Sequence, residues 1–250
     1  MGNQSVSGFW IGELGALERL SMSSFLYHGH PYKLWCYDEM DAPPGVDLCD
    51  ASEIVPKSAI LDKWAPKKHT LQTFANLFRY ELIHNLGGWW ADLDMVLLRP
   101  LDQAEPYVFT RANDIPLRPE LFDLADKLNG RSVQNSLFKA PPGAIFLRTM
   151  LTKMYPDANR GIYPEFGQWG TVIFSRSIVE AGLEGWVVEP LWQNLMVDSR
   201  KLFGDAEAAI PQGYCVHFYN YYLQQQPEPC DGSVFHRLRE RYESTGSRTE

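Results

Sequence analysis

Hydrophobic and polar positions along this chain switch between a strand-like and a helical period, and the switches predict an α/β domain. Ser5–Gly12, SVSGFWIG, is a short apolar run ended by glycine and predicts a buried strand. Ala16–Gly29 then places Leu17, Leu20 and Phe25 at near-helical spacing, which predicts a helix stopped by Gly29. Lys33–Asp38, KLWCYD, predicts a second strand. After the Pro43-Pro44-Gly45 turn, alternating Val46 and Leu48 predict a third. The opening therefore reads β-α-β-β, with the first two strands parallel through a right-handed crossover. Such a unit is half of a nucleotide-binding α/β sheet.

A polar, proline-punctuated connection from Pro56 to Lys68 leads into the clearest helix, HTLQTFANLFRYELIHNL. Leu71, Phe74, Ala75, Phe78 and Leu82 share one stripe, and Gly87-Gly88 closes the helix. Asn76 and Arg79 lie about 60° apart on the flank of that stripe, near the buried face without belonging to it. The following GGWWADLDMVLLRPL, read as a strand, puts Trp90, Asp92 and Asp94 on one side and Trp89, Ala91, Leu93 and Met95 on the other. In a regular strand the two carboxylates would stand about 7 Å apart, too far for both to bind one cation unless the chain turns near Leu93. Pro100 ends the ladder. Farther on, the pattern predicts a strand at Ser132–Ala140, a helix at Gly143–Met154 and an aromatic loop at Ile162–Gly170. A helix at Thr171–Leu183, strands at Gly185–Pro190 and Tyr214–Asn220, and a terminal helix at Ser233–Ser244 with a fraying tail complete it. No repeat or low-complexity tract is present.

At 250 residues, 45% apolar and 13% aromatic, the chain can bury one large core as a single domain. The formal charge of −8 argues against nucleic acid as a partner, and an anionic small ligand would need local arginine or a metal. Cys36, Cys49, Cys215 and Cys230 form no CxxC pair, so core thiols are expected rather than a zinc or redox site. The N-terminus has no cationic start followed by an apolar stretch, and no apolar run approaches the roughly 20 residues of a membrane span. The expectation is a cytoplasmic protein, with peripheral contact at the inner face of a membrane left open. With 15 aspartates in 250 residues, Asp-x-Asp is expected roughly once by chance, so its context decides.

Three segments supply that context. FWIG (Phe9–Gly12), FANLFRYELIHNLGGWWADLDMV (Phe74–Val96) and HFYN (His217–Asn220) together resemble the DXD-containing sugar transferases of glycosyltransferase family 32. That group is related to the α1,4-galactosyltransferases and, more distantly, to the glucosylating domains of clostridial toxins. The resemblance covers residues 9 to 96 well and 130 to 222 loosely. It implies a GT-A nucleotide-diphospho-sugar transferase fold, a mixed central sheet flanked by helices, with residues 5–100 as the nucleotide-sugar half and 101–244 as the acceptor half. It also implies a UDP-sugar donor, Mn2+ or Mg2+, transfer of a hexose with retention, and a saccharide or glycolipid acceptor such as a cell-surface polysaccharide or lipopolysaccharide. Carried over by position, Asp92, Asp94 and Arg79 are the catalytic set, and Asp92, Asp94, His217 and Asn220 the metal set. Trp10 would stack on the uracil, with Asn76, Arg79, Trp90, Asp92 and Asn135 around the donor; Tyr37, which with Asp38 ends the second strand where ligands enter α/β sheets, is a further donor candidate. Asn76 stands where the family usually has Asp, which bears on donor identity, and Tyr221 and Tyr222 stand where relatives often have Trp.

Two other classes share parts of the pattern. WWADLDMV also fits the strand end of haloacid-dehalogenase-like phosphatases, but Gly204-Asp205 lacks the downstream acid that motif needs. A non-catalytic sugar-binding module on the same fold would be expected to lose Asp94 or His217, and both are present.

Overall fold

The computed structural model describes residues 4–58, 70–162, 164, 165, 167–192, 198–223 and 228–243. The helix start at His69, Lys67-Lys68 and the tail beyond residue 243 lie outside them. Strand β1 (Val6–Phe9) leads through helix α1 (Ala16–Tyr27) to β2 (Tyr32–Cys36), and β3 (Val46–Asp50) follows. All three are parallel, in the predicted order, with Phe9 opposite Trp35 and Leu34 opposite Leu48. Glycine is needed at position 8: a Cβ there would run into Tyr32 Oη and come 2.7 Å from Leu93 Cδ1. At the sheet edge, β3 leaves Leu48 exposed, so its apolar alternation marks a strand without marking a buried face.

Helix α2 (Thr70–Leu86) precedes β4 (Gly88–Ala91) and β5 (Met95–Leu97). Next come β6 (Val108–Pro116), the short helix α3 (Ala125–Leu128), β7 (Arg131–Ala140), α4 (Ile145–Asn159) and α5 (Ile173–Glu180). The chain ends through β8 (Val187–Val188), α6 (Ser199–Gly204), β9 (Cys215–His217), α7 (Asn220–Leu223) and α8 (Val234–Glu243). Among the described residues, seven strands form one sheet in the order β3-β2-β1-β4-β7-β6-β8, and β5 pairs with β9 in a separate antiparallel ribbon. The main sheet is mixed, because β4 runs parallel to β1 and antiparallel to β7.

Adjacent Trp89 and Trp90 point to opposite faces, and each anchors one core. On the Trp90 side, α2 packs Phe74 and Phe78 against Phe9, with Phe138, Phe146 and Phe174 filling the layer. On the Trp89 side, Met22 and Phe25 of α1 cover Val6, Tyr32 and Leu34. Covered on both faces, α2 buries more than its predicted stripe: Leu77, Tyr80 and Ile83 are inside too. Leu71, in the first turn, is instead 52% exposed. Gly87 (φ +66°) donates to Ile83 O at 2.9 Å and closes the helix, and a Cβ there would meet Pro142 Cδ at 2.5 Å.

Several elements depart from the pattern. Strand β6 has no predicted counterpart, because two register irregularities against β7 break its period. Helices α3 and α6 are too short to show one. The expected strand through Arg99 stops at Ala91, turns, and resumes as β5, which leaves the sheet for β9. Of the cysteines, Cys36 and Cys215 are buried, Cys49 is half-buried and Cys230 is exposed; all four are free thiols.

Candidate functional site

Strand β4 gives out at Ala91, where Asp92 N–H still donates to Ser136 O (2.8 Å) but Asp92 O already accepts from Met95 N–H (3.1 Å). Asp92-Leu93-Asp94 is therefore a turn at the end of a central strand, and the two carboxylates enter different networks.

Asp92 is held by Arg79 of α2. The guanidinium lies 3.0 Å from Asp92 Oδ1 through Nη2, and Nη1 reaches Oδ2 at 3.4 Å. Trp90 Nε1 donates to the same Oδ1 at 2.8 Å, and the guanidinium stands 4.9 Å from the Trp90 ring. Nη1 also donates to Asn135 O at 2.6 Å. Arg79 is only 5% exposed, because this fork aims it across the sheet end rather than outward along the flank of the helix. Burial pushes the Asp92 carboxyl up, Arg79 pulls it back and Asp94 pushes it up again; the outcome lies above the ordinary carboxylate range.

Behind this pair, Asn135 Nδ2 donates to Asn76 Oδ1 (2.9 Å) and to Tyr80 Oη (2.6 Å). Tyr80 Oη in turn donates to Trp169 O (3.1 Å). Five of the sequence candidates, Asn76, Arg79, Trp90, Asp92 and Asn135, thus form one network, with Arg79, Trp90 and Asn135 buried and Asn76 and Asp92 partly exposed. Tyr80, its sixth member, left no signal in the polar pattern because it reads as one more aromatic of the helix.

Asp94 belongs to the second network. Met95 pairs with His217 across the β5–β9 ribbon, which brings His217 Nε2 to 3.3 Å from Asp94 Oδ1. Asp94 Oδ2 accepts from Asn220 N–H at 2.9 Å, and Asp94 O accepts from Phe218 N–H at 2.9 Å. Burial pushes the Asp94 carboxyl up, but His217 and the Asn220 N–H outweigh it and hold the group below the usual range. The His217 ring stacks on Tyr219 at 3.7 Å and meets Trp192 edge-on at 5.2 Å, while Trp192 Nε1 donates to Tyr219 Oη at 3.2 Å. Tyr219 takes φ +52°, an uncommon conformation for a non-glycine residue. Asn220 meets Asp94 through its backbone; its side-chain Nδ2 donates instead to Glu18 Oε1 at 3.1 Å. Glu18, another residue the sequence did not single out, is buried on α1, where an acid in the first turn reads as an ordinary helix start.

Trp10 and Tyr37 follow β1 and β2 at the same end of the parallel strands. Their hydrogen bonds go elsewhere: Trp10 Nε1 donates to Glu13 O (3.0 Å) and Tyr37 Oη to Val55 O (2.6 Å). Both are partly buried. Of the histidines outside the candidate set, His30 is buried in a structural role, accepting Leu101 N–H.

Among the described residues, no three His, Cys, Asp or Glu side chains converge as a finished cage for a metal ion. The donors nonetheless fit one in kind. Asp94 Oδ1 is buried and faces an imidazole nitrogen, His217 Nε2, at 3.3 Å. Carboxylate oxygen suits Mn2+ or Mg2+ and imidazole suits first-row transition metals, so this pair, with Asp92 nearby in the same turn, fits a divalent cation in kind. A cavity of about 510 Å3 lies at the opposite end of the sheet, around Ser7, Lys33 and Lys139, away from both networks. No described helix is long and apolar enough to cross a membrane.

No protein-family model and no curated protein matches the chain. Among solved structures it is similar to the PaToxG glycosyltransferase, with a TM-score of 0.52 and 12% sequence identity over 72% of this chain and 69% of that one. The mixed seven-stranded sheet flanked by helices is thus of the GT-A glycosyltransferase type that the sequence predicts.

Proposed function

We propose that this protein is a divalent-metal-dependent glycosyltransferase that moves a hexose from a UDP-sugar to a saccharide acceptor with retention. One observation carries the reading: on a glycosyltransferase fold, the Asp92–Asp94 turn ends a central strand with one carboxylate gripped by Arg79 and the other facing His217. Ligands of open α/β sheets enter at this end of the strands.

The chemistry follows from charge. A UDP leaving group gains negative charge as the sugar departs, in a protein of formal charge −8 whose Arg79 is already paired with Asp92. A bound Mn2+ or Mg2+, held by Asp94 and His217 with Asp92, would supply that charge as a Lewis acid. Arg79, anchored on Asn135 O and Trp90, fixes the orientation of Asp92. Asn76 spends its carbonyl on Asn135, so its amide N–H groups are what it offers to a sugar hydroxyl. Trp10, at the end of β1, is the candidate platform for uracil, while Tyr37, at the end of β2, packs into the other core against Phe9 and Phe74.

A thermal-shift panel tests the reading. UDP with Mn2+, at about a hundred times its Kd, stabilises a binding protein by about 2.7 kcal/mol, or about 5–10 °C at this size. UDP-sugars with Mn2+ should give this shift and GDP-sugars should not. Stabilisation by GDP-sugars alone would sink the uridine assignment. Release of phosphate from an aryl phosphate, lost in Asp92→Asn, would favour a phosphatase instead.

A further inference from the structure

Helix α1 carries a carboxylate that the proposed reaction does not use. Glu18 is 5% exposed; its carboxylate takes the backbone N–H groups of Gly15 and Glu18 and, from the far end of the chain, the Asn220 side chain. That asparagine is bifunctional: its side chain donates to Glu18 Oε1 at 3.1 Å while its backbone N–H donates to Asp94 Oδ2 at 2.9 Å. We infer that Glu18 is a positioning residue for the metal site, acting through Asn220 to hold Asp94 with Oδ2 saturated and Oδ1 turned toward His217. The inference rests on the reading of Asp94 and His217 as cation ligands.

Three features support it. Position 15 is glycine, and a Cβ there would lie 2.7 Å from Glu18 Oε2, so the missing side chain makes room for the carboxylate over the first turn of α1. Asn220 follows Tyr219, whose backbone is in the left-handed region, so the chain adopts a costly conformation at the point where it turns Asn220 toward Asp94 and Glu18. The bridge also has a division of labour. With one Asp94 oxygen committed to the Asn220 N–H, the other is left facing His217 Nε2 at 3.3 Å. Without Glu18 the Asn220 side chain loses the partner that fixes it, and Asp94 loses a fixed orientation.

The competing role for Glu18 is local, as an acid near the N–H groups that open α1. A local cap contributes to stability and leaves the ion untouched. The test is therefore a double-mutant cycle read as Mn2+ affinity, by electron paramagnetic resonance of free Mn2+ on folded protein without substrate. Glu18→Ala and Asn220→Ala should each weaken Mn2+ binding about 10- to 100-fold, the range for residues behind a metal ligand. The double variant should be no weaker than either single one, because both remove the same bridge. Glu18→Gln, which keeps an acceptor for Asn220 Nδ2, should recover most of the affinity. Additive losses would overturn the inference, as would a lower melting temperature with unchanged Mn2+ affinity in Glu18→Ala. If that variant does not fold, unchanged affinity in Asn220→Ala overturns it alone. Asp94→Asn separates the two levels: loss of Mn2+ binding there with none in the bridge variants defeats only the positioning role. Wild-type protein that binds no Mn2+ defeats the metal reading and this inference together.

Discussion

At Arg79 the guanidinium does three things that a lysine ammonium cannot do together: it forks onto Asp92, donates to a backbone carbonyl and lies over an indole. Arg79→Lys should therefore leave a folded protein whose turnover of the proposed UDP-sugar donor, donor hydrolysis included, falls about 10- to 100-fold, as for loss of a group that orients a metal ligand. Steady-state rates with circular dichroism as the fold control check this, and wild-type rates would remove α2 from the site. At this scale the sequence marked Arg79 and Asp92 but missed their mutual contact, because a helical flank and a strand end are joined only by packing. Tyr80 and Glu18 were silent for a related reason. A buried tyrosine or a first-turn glutamate looks the same in sequence whether or not something distant is bonded to it.

Among the elements, the segment after β5 is pinned by His30, whose ring bonds Gln4 O at 3.0 Å and Leu101 N–H at 3.0 Å. The Leu101 bond needs an unprotonated Nε2. Burial depresses the His30 pKa below its ordinary 6.5, against the opposing pull of the Gln4 carbonyl. The unfolded chain thus takes up the proton more readily than the folded one. The stability is complete above 6.5 and is lost as pH falls through the folded-state pKa, with His28, also depressed by burial, adding in the same direction. Urea midpoints should therefore fall between neutral pH and about pH 5, within the usual stability plateau of proteins. His30→Phe should flatten part of that slope. It should also cost about 1–3 kcal/mol at neutral pH by stranding the Leu101 N–H.

For the whole molecule, the decisive contact is the β5–β9 ribbon, which brings a C-terminal histidine onto an aspartate near the middle of the chain. His217→Ala should weaken Mn2+ binding about tenfold or more with partial rescue at high Mn2+, since water can replace a neutral ligand. An unchanged Mn2+ titration, with the fold intact, would make His217 an ordinary packed histidine. The ribbon also explains why the acid pair and His217 could be nominated separately, yet their geometry could not. A three-residue strand has almost no period of its own, and its partner lies over a hundred residues away.

The parallel β1-α1-β2 opening, the amphipathic α2 and its glycine stop were legible in the chain alone, because each is written in local periodicity and in residues with special backbone demands; the acid pair was legible as a pair, but its turn was not. The sequence also carried the GT-A architecture through the resemblance of those segments. It took the packed chain to give Asp92 to Arg79 and Asp94 to His217, to leave Leu71 and Leu48 outside, and to seat irregular β6 between β7 and β8. Those outcomes depend on which surfaces meet across long stretches of chain, and the energy of such meetings appears in no local pattern.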